Sequence, residues 1–239
     1  MSIDRFTRSG NQPMLRGKHE PGWSDLVADW KRQQLEMRRR ILVQPLDPLP
    51  RFVAGVDGAF SDDKATIFAA AVVYDREAAK IVEVAHAVVN AEFPYIPTFL
   101  SFREGPAVLA ALGKLKHAFG AVCFDGQGYA HPRRCGLASH MGVTLDVPTL
   151  GVAKSRLIGT YDEPAAPAGS SSPLWDDAEQ IGVVLRTRDN VRPLFLSIGH
   201  RIDLDSAVRL SLACVTRYRI PEPTRQADIE VAKLKASHK

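Results

Sequence analysis

The sequence predicts an α/β fold in which helices flank a mixed β-sheet. Three strands come early in the chain, and strands then alternate with helical stretches, which is the order expected when helices pack on the faces of one sheet. Apolar residues make up 45% of the 239 residues and charged residues 24%, as in an ordinary globular protein. Because no internal repeat or second apolar core divides the chain, we predict a single domain over residues 23–239, after a loosely ordered leader over residues 1–22.

The first half of the chain predicts one helix, an antiparallel meander and a second helix. Ser24 can cap the first helix, and Gly105–Pro106 should kink or restart the second. The predicted helices cover residues 24–43 and 98–119, and the predicted strands cover residues 52–57, 67–74 and 80–89. The segment between the first helix and the first strand, residues 44–50, contains three prolines and is interpreted as a linker.

The second half of the chain alternates between strands and helices. Asp203 can cap a helix, and another helix should follow Pro221. Residues 159–178 are rich in Pro, Ala, Gly and Ser, which indicates a surface excursion. The other predicted elements are strands over residues 121–124, 147–150, 181–185 and 194–198 and a short helix near residues 133–141.

Charge and cysteine content restrict the class of protein. The formal net charge of +4 favours an acidic partner. The end of the first helix is strongly basic, where we favour a solvated face over a nucleic-acid contact: Lys31, Arg32, Arg38, Arg39 and Arg40. The 3 cysteines are widely spaced, which argues against a disulfide framework, and the longest apolar run is far too short to span a bilayer. We therefore expect a cytoplasmic protein that does not enter membranes.

Two aspartates follow apolar runs that predict buried strands. Asp57 ends the first strand, and Asp125 follows the run 121–124 and precedes two glycines. If their strands are neighbours, the carboxylates lie side by side and repel each other unless a cation joins them. Such oxygen ligands suit Mg²⁺ or Mn²⁺. Each aspartate alone is equally well explained as a helix cap or a surface residue.

Basic and histidine side chains near these acids are candidates for phosphate contacts. Lys154, at a strand end behind Gly151, could supply a fixed positive charge to a phosphorus-centred transition state. Three residues near the start of the helix predicted after Asp125 are candidate contacts to a nucleic-acid backbone: His131, Arg133 and Arg134. His140 and His200 are expected to be hydrogen-bonded structural histidines.

A series of motifs gives these residues a common interpretation. In chain order they are Val53–Asp57, Phe93–Pro97, Ser101–Glu104, Asp125–Gly128, Ala130–Arg134, Gly136–His140, Pro148–Ser155 and Pro221–Asp228. The series closely resembles endonuclease V, the deoxyinosine-directed repair nuclease, over about residues 24–230. The resemblance implies a ribonuclease H-like fold and a metal-dependent hydrolysis of DNA. The resemblance further implies that the cut would fall at the second phosphodiester bond 3′ to the hypoxanthine base and would leave 3′-hydroxyl and 5′-phosphate ends.

The resemblance also implies roles for the charged residues. Asp57 and Asp125 would be direct ligands of Mg²⁺, for which Mn²⁺ would substitute. Glu104 would stand beside them and bind the metal directly or through water. Asp228 matches the fourth metal-site position of the family, and Lys154 would assist at the phosphate.

Two further features of the family are a wedge and a base pocket. Tyr95 would be the wedge that fills the gap left by the extruded base, held by its neighbours Pro94, Ile96 and Pro97. A rigid, exposed aromatic side chain suits this task. The pocket would be formed by the main chain around Gly126, Gly128, Gly136, Leu137 and Ala153, where small residues let backbone groups read the edge of the base.

Two positions depart from the family pattern. Gly58 stands where an aliphatic residue is usual, and it should loosen the end of the first strand. Thr98 stands where a glycine is usual, and it should stiffen the wedge segment or cap the following helix. Neither departure removes a ligand, so we expect activity to survive.

Other functions remain to be weighed against a monomeric enzyme that acts on deoxyinosine-containing DNA. The same site could cut inosine-containing RNA, because a pocket made of backbone says little about the sugar. A non-catalytic protein that only marks lesions is the other alternative. The retention of the acidic positions and of Lys154 argues against it, since a pure binder has no use for paired acids beside phosphate.

Overall fold

The computed structural model describes residues 21–238, so the predicted leader falls almost wholly outside the described residues. The helices are α1 (Trp23–Arg38), α2 (Leu100–Leu112), α3 (Leu137–Leu145), α4 (Leu204–Ala213) and α5 (Glu222–Ala236). The strands are β1 (Phe52–Phe60), β2 (Thr66–Asp75), β3 (Lys80–Asn90), β4 (Ala121–Phe124), β5 (Thr149–Ala153), β6 (Ser171–Asp176), β7 (Glu179–Leu185) and β8 (Leu194–His200).

The strands form one mixed sheet in the order β3-β2-β1-β4-β5-β8-β7-β6. The first three strands are the predicted antiparallel meander. β1, β4 and β5 run parallel to one another, and the remaining strands pair antiparallel. The predicted mixed sheet is therefore confirmed, and β1 and β4 are neighbours near its middle.

Side chains of β1 alternate between two covered faces of the sheet. Ala54 and Val56 pack in the cluster that includes residues of α2 and α3. Gly55 points to the opposite face and lies against α5, where a Cβ atom would come within 2.1 Å of the carbonyl carbon of Pro223. Because side chains alternate along a strand, Asp57 points to the same face as Gly55. The side chain of Asp57 therefore projects on the side where α5 packs.

Strand β1 continues beyond Asp57, contrary to the expectation that the aspartate closes it. Gly58 pairs with Ala69, and the pairing with β2 extends to Phe60. The expected loosening of the strand at Gly58 is therefore wrong. The antiparallel partner β2 is long enough to carry β1 past the point where its parallel partner β4 ends.

Helices α1 and α3 begin or end at other residues than predicted. α1 ends at Arg38 instead of Val43, because the amides of Arg39 and Arg40 turn back to form short-range bonds to Glu36 and Met37. α3 begins at Leu137 instead of near residue 133, because the preceding residues form a turn in which Arg134 has a φ of 56°.

Helix α2 spans Leu100–Leu112 and is shorter than the predicted 98–119. Pro106 lies inside it, and the helix continues through this residue instead of restarting there. Gly113 follows the last helical residue, as is common at helix ends. The apolar spacing that continues to Phe119 belongs to a loop packed on the same core.

The surface excursion predicted over 159–178 contains one further strand, β6, which the Ser- and Pro-containing sequence concealed. It is an edge strand that pairs with β7, a position where proline is tolerated. The predicted cap at Asp203 is confirmed, since its carboxylate accepts a hydrogen bond of 2.8 Å from the amide of Ser206. Among the helices of the described residues, none has the length and apolarity needed to cross a bilayer.

Candidate active site

The register of the sheet brings Asp57 and Asp125 together. Val56 pairs with Phe124 in the parallel β1–β4 ladder, so the next residue on each strand is one of the two aspartates. Burial, and next the negative charge of Asp125, raise the pKa of Asp57 to about 8. The amide of Gly58 donates a hydrogen bond of 2.8 Å to Asp57 and partly opposes this shift. The two carboxyl groups therefore share one electrostatic environment.

Glu104 reaches the same place from α2, on the opposite face of the sheet. Its residue is 7% exposed, and burial followed by the charge of Asp125 raises its pKa to about 7. A Cβ atom at Gly58 would lie 3.3 Å from the Glu104 carboxyl carbon. Gly58 therefore leaves room for the glutamate at the edge of β1, which is what the departure from an aliphatic residue achieves in this chain.

Lys154 joins the acids from the end of β5. Its Nζ lies 2.6 Å from Oδ2 of Asp125 and 3.4 Å from Oδ2 of Asp228, which α5 contributes. Burial is the largest single influence on Lys154 and lowers the pKa of its ammonium group. The hydrogen bond to Asp125 and the negative charges of the three aspartates together outweigh burial and raise this pKa. Four acidic side chains and one lysine, from three strands and two helices, thus interact at one site.

These side chains are not arranged as the complete coordination shell of a metal ion. Among residues 21–238, no three His, Cys, Asp or Glu side chains lie close enough together to hold a metal ion as they are placed. Lys154 occupies the cation position between Asp125 and Asp228. The carboxylate oxygens of the four acidic residues nevertheless form a donor set of the kind that Mg²⁺ and Mn²⁺ prefer.

A pocket of about 350 Å³ opens beside the acids. Its lining includes Asp125, Lys154 and Tyr95 together with four of the five residues predicted for a base pocket, namely Gly126, Gly136, Leu137 and Ala153. The volume is within the range of small-molecule sites and suits one purine base. Acids, lysine and pocket therefore adjoin one another, as a site that binds a base and cuts the adjacent backbone requires.

Gly128, the fifth residue predicted for the pocket, packs against β8. A Cβ atom there would lie 2.1 Å from the carbonyl oxygen of Ile198, and its amide donates a hydrogen bond of 2.9 Å to Ser197. Gly151 lets β5 approach the same loop, since a Cβ atom at that residue would lie 2.5 Å from the carbonyl oxygen of Gly126. Both glycines permit the close packing that shapes the pocket floor.

Tyr95 lies in a short segment before α2, residues 93–98, which we call the wedge loop. Its ring is 54% exposed at the rim of the pocket, between Pro94 and Ile96. Phe93, at the other end of the loop from Thr98, packs against the buried Trp30 of α1 in a tilted arrangement, with 4.4 Å between ring centroids. An exposed aromatic ring on a loop that is anchored to the protein core is the geometry that the wedge prediction needs.

The three predicted backbone contacts all have partners within the protein. His131 is 3% exposed, and burial lowers its pKa to about 4, so it is uncharged at neutral pH. Arg133 donates hydrogen bonds to Gln34 and Thr98. Arg134 forms ion pairs of 2.7 Å with Asp176 and 2.8 Å with Glu179. The direct DNA contacts of these residues stay predictions, and the observed partners give each a structural task.

His140 and His200 have the structural character that was expected of them. The Nδ1 atom of His140 lies 2.9 Å from the hydroxyl of Ser101, and burial lowers the pKa of this histidine to about 4. His200 contacts Asp146 through Nε2 at 3.0 Å and accepts a hydrogen bond from the amide of Leu42 through Nδ1. The prediction that Thr98 caps the following helix is wrong. Phe99 is the residue that directly precedes α2, and no side chain caps the N-terminus of this helix.

Sequence reasoning missed several residues of the pocket and its surroundings. The lining also includes Leu100, Ser101, Gln127, Arg156 and Leu157. Gln127 lies inside the glycine motif and donates a hydrogen bond of 3.0 Å to the carbonyl of Ser155, beside Lys154. Gln127 and Ser101 each lie within one of the motifs, and those positions were the available signals. Leu157 is an exposed apolar side chain. Its exposure indicates a binding role only once the structure shows that it lines the pocket.

The buried acids should make the stability of the metal-free protein fall with rising pH. The folded protein keeps the proton of Asp57 up to about pH 8, whereas the unfolded chain releases it near the ordinary value of 3.8. Stability linked to this group is therefore lost as pH rises across that window. Asp57→Asn should raise the melting temperature at pH 8 and have little effect at pH 4, as followed by circular dichroism in EDTA. Asp205→Asn on α4 is the control, and an equal gain at both pH values would contradict the assignment.

This chain is similar in sequence and in fold to proteins of one known family. The profile of Endonuclease V covers residues 35–229. Endonuclease V of Roseiflexus sp. (strain RS-1) is 47% identical over 206 residues, which are 86% of this chain and 92% of that protein. The crystal structure of Endonuclease V from Streptomyces avermitilis has a TM-score of 0.85 and 45% identity and covers 89% of this chain and 94% of its own.

A more distant relative was crystallised with nucleic acid. Ciona intestinalis Endonuclease V, in complex with a 24mer DNA containing an inosine followed by a ribo-adenosine, has a TM-score of 0.75 and 26% identity. The match covers 90% of this chain and 100% of that chain. Sequence and fold agree across nearly the whole described chain, including the strands that carry the acids. The chain belongs to the endonuclease V family of nucleases, which have a ribonuclease H-like fold.

Proposed function

We propose that this nuclease recognises deoxyinosine in DNA and hydrolyses the second phosphodiester bond 3′ to the lesion. The products would carry a 3′-hydroxyl and a 5′-phosphate, as a repair incision requires. The observation that carries the proposal is the contact between a base-sized pocket and the acid–lysine cluster, which share Asp125 and Lys154. The Ciona relative, crystallised with inosine-containing DNA, supports the same class of ligand.

The acidic side chains fit a divalent cation, for which we propose Mg²⁺ with Mn²⁺ as a substitute. Asp57 and Asp125 would bind it directly, with Glu104 and Asp228 at the margin of the site. The raised pKa values of Asp57 and Glu104 support the assignment, because a bound cation would offset both the burial of their charges, which is the main cause of the rise, and the repulsion by Asp125. When bound, the ion would polarise the phosphate and lower the pKa of a water molecule.

The remaining residues of the site would bind and orient the strand. Lys154 would place its positive charge at the scissile phosphate and stabilise the charge that develops there. Main-chain groups of Gly126 and Gly136 would read the edge of the flipped base, and Leu137 would pack against its face. Tyr95 would fill the gap in the stack, since its ring is already exposed at the pocket rim.

The proposal is tested by nicking of a duplex that carries a single inosine. Purified protein with Mg²⁺ should cut only the inosine strand. End-labelling should place the cut between the first and the second nucleotide on the 3′ side of the inosine. The same duplex with adenine in place of inosine is the control. Equal cutting of both duplexes, or a cut at another bond, would refute the proposed specificity.

Inosine-containing RNA is a second candidate substrate. The Ciona complex contains a ribo-adenosine directly after the inosine, so that relative accommodates a 2′-hydroxyl next to the lesion. A pocket formed largely by main chain places little restriction on the sugar. Single-turnover rates on DNA and RNA oligonucleotides of identical sequence, each with one inosine, decide between the substrates.

A further inference from the structure

Thr98 ends the wedge loop in an unusual backbone conformation. Its φ is 70°, in the left-handed region that β-branched residues rarely adopt. Such a residue stays in place only when its surroundings hold it there. The contacts of Thr98 therefore identify the groups that fix the C-terminal end of the wedge loop, three residues after Tyr95.

Gln34 of α1 is one of these groups. It is fully buried, and its amide nitrogen donates hydrogen bonds of 3.0 Å to the carbonyl oxygens of Thr98 and Cys135. Its amide oxygen accepts a hydrogen bond of 2.5 Å from Nε of Arg133. Both donor hydrogens of the amide are thus used, and the side chain links three separate segments.

Arg133 and His131 hold Thr98 from the other side. The guanidinium group of Arg133 donates to the Thr98 carbonyl at 3.0 Å and to its hydroxyl at 2.7 Å, and it lies over the ring of Phe99. His131 Nδ1 accepts from the amide of Arg133, so its proton is on Nε2, which donates to the same carbonyl at 3.0 Å. Three side chains therefore converge on one carbonyl oxygen.

We propose that Gln34 and Arg133 are positioning residues that hold the wedge loop at a fixed distance from the base pocket. Gln34 bonds to Thr98 on the loop and to Cys135, whose neighbours Gly136 and Leu137 line the pocket. The buried amide of Gln34 thus connects the wedge loop, which carries Tyr95, to the segment that lines the base pocket. The inference rests on the proposed wedge role of Tyr95.

The first test measures affinity for DNA in EDTA, so that no strand is cut. Gln34→Met should raise the Kd for a duplex with one inosine roughly tenfold, the loss expected for one buried hydrogen-bonding group. The Kd for a single-stranded oligonucleotide with one inosine should change less than about twofold, because a strand without a partner needs no wedge. Equal loss on both substrates would overturn the proposal, since it would indicate general structural damage.

A double-mutant cycle links the effect to the wedge. Tyr95→Ala should weaken duplex binding by itself, and Gln34→Met should add nothing further in that background. Full additivity, or no effect of Tyr95→Ala, would overturn the proposal. Gln33→Met is the matched control, because this neighbouring glutamine of α1 donates its hydrogen bond within its own helix, to Asp29, and does not bond to the wedge loop. If Gln34→Met does not fold, Arg133→Lys keeps the charge and removes the two-pronged contact, and the same cycle applies.

A measurement without nucleic acid separates this proposal from the proposed function. Amide hydrogen exchange over residues 95–99 should be faster in Gln34→Met than in the parent, while exchange in β1 and β4 stays unchanged. Unchanged exchange in the wedge loop would overturn the positioning role. A parent protein that does not distinguish inosine from adenine would instead refute the proposed substrate and leave the exchange result standing.

Discussion

Replacing Asp125 with asparagine is expected to lower the nicking rate on an inosine duplex by about 10³-fold or more. The substitution keeps the size of the side chain but removes a negative charge that Asp57 and Glu104 both respond to. Loss of several kcal/mol of transition-state stabilisation corresponds to about this factor. Asp57→Asn should behave alike, because the two residues continue paired neighbouring strands. Single-turnover kinetics in saturating Mg²⁺ measure the effect.

Binding of the lesion should survive these substitutions. On the proposed function the base would be contacted by main-chain atoms around Gly126 and Gly136, which line the pocket and which an Asp-to-Asn change does not remove. The Kd for the inosine duplex should therefore stay within about threefold of the parent value in EDTA. Asp205→Asn on the exposed side of α4 is the control for the rate. A variant at Asp57 or Asp125 that cuts at the parent rate would disprove the proposed metal site and would favour a nuclease centre elsewhere.

Replacing Lys154 with methionine should change catalysis and metal binding in opposite directions. Nicking should fall by about 10²-fold, because the fixed charge at the phosphate is lost. Affinity for Mn²⁺ should rise about two- to fivefold, because the ammonium group no longer competes for Asp125 and Asp228. The gain is small because the lysine and Asp228 are both substantially exposed. Titration followed by electron paramagnetic resonance measures Mn²⁺ binding without any turnover.

The matched control for this experiment is Lys233→Met. Lys233 lies on α5 like Asp228 but pairs with Glu230. Its substitution should leave both the nicking rate and the Mn²⁺ affinity unchanged. Weaker Mn²⁺ binding in Lys154→Met would show that the lysine supports the cation instead of standing in for it. That result would refute the interpretation of the 2.6 Å contact with Asp125 as a substitute for a metal ion.

The early meander and the placement of the two aspartates after apolar runs could be predicted from the sequence because both depend on local pattern, whereas the order of the strands depends on tertiary pairing. Apolar runs identified β1 and β4, and each run led to an aspartate. Motif order then indicated that Glu104 and Lys154 belong with them. The extent of β1 beyond Asp57 could not be predicted in this way, because it depends on how far β2 pairs with it and not on the residues of β1 alone.

The environment of Thr98 was beyond the reach of sequence reasoning for another reason. Gln34 lies four residues after the buried Trp30, on the same face of α1, but its spacing does not tell which distant backbone groups its amide bonds. The sequence predicts Arg133 as a contact to nucleic acid, because basic residues follow the Asp125 carboxylate and its glycines at the start of a predicted helix. Its observed bonds cross between segments that are 35 and 99 positions apart. Such long-range polar contacts are set by the tertiary fold and leave no periodic signal in the chain.

The packing of α5 against β1 has a consequence for how the enzyme comes into being. α5 follows the eight described strands in the chain, and Pro223 packs against Gly55 on the same helix that carries Asp228 to Lys154. The early strand β1 and the late helix α5 must therefore meet before all four acids lie in one place. A substitution at Gly55, where any Cβ atom would collide with the backbone of Pro223, would displace Asp228 without touching it.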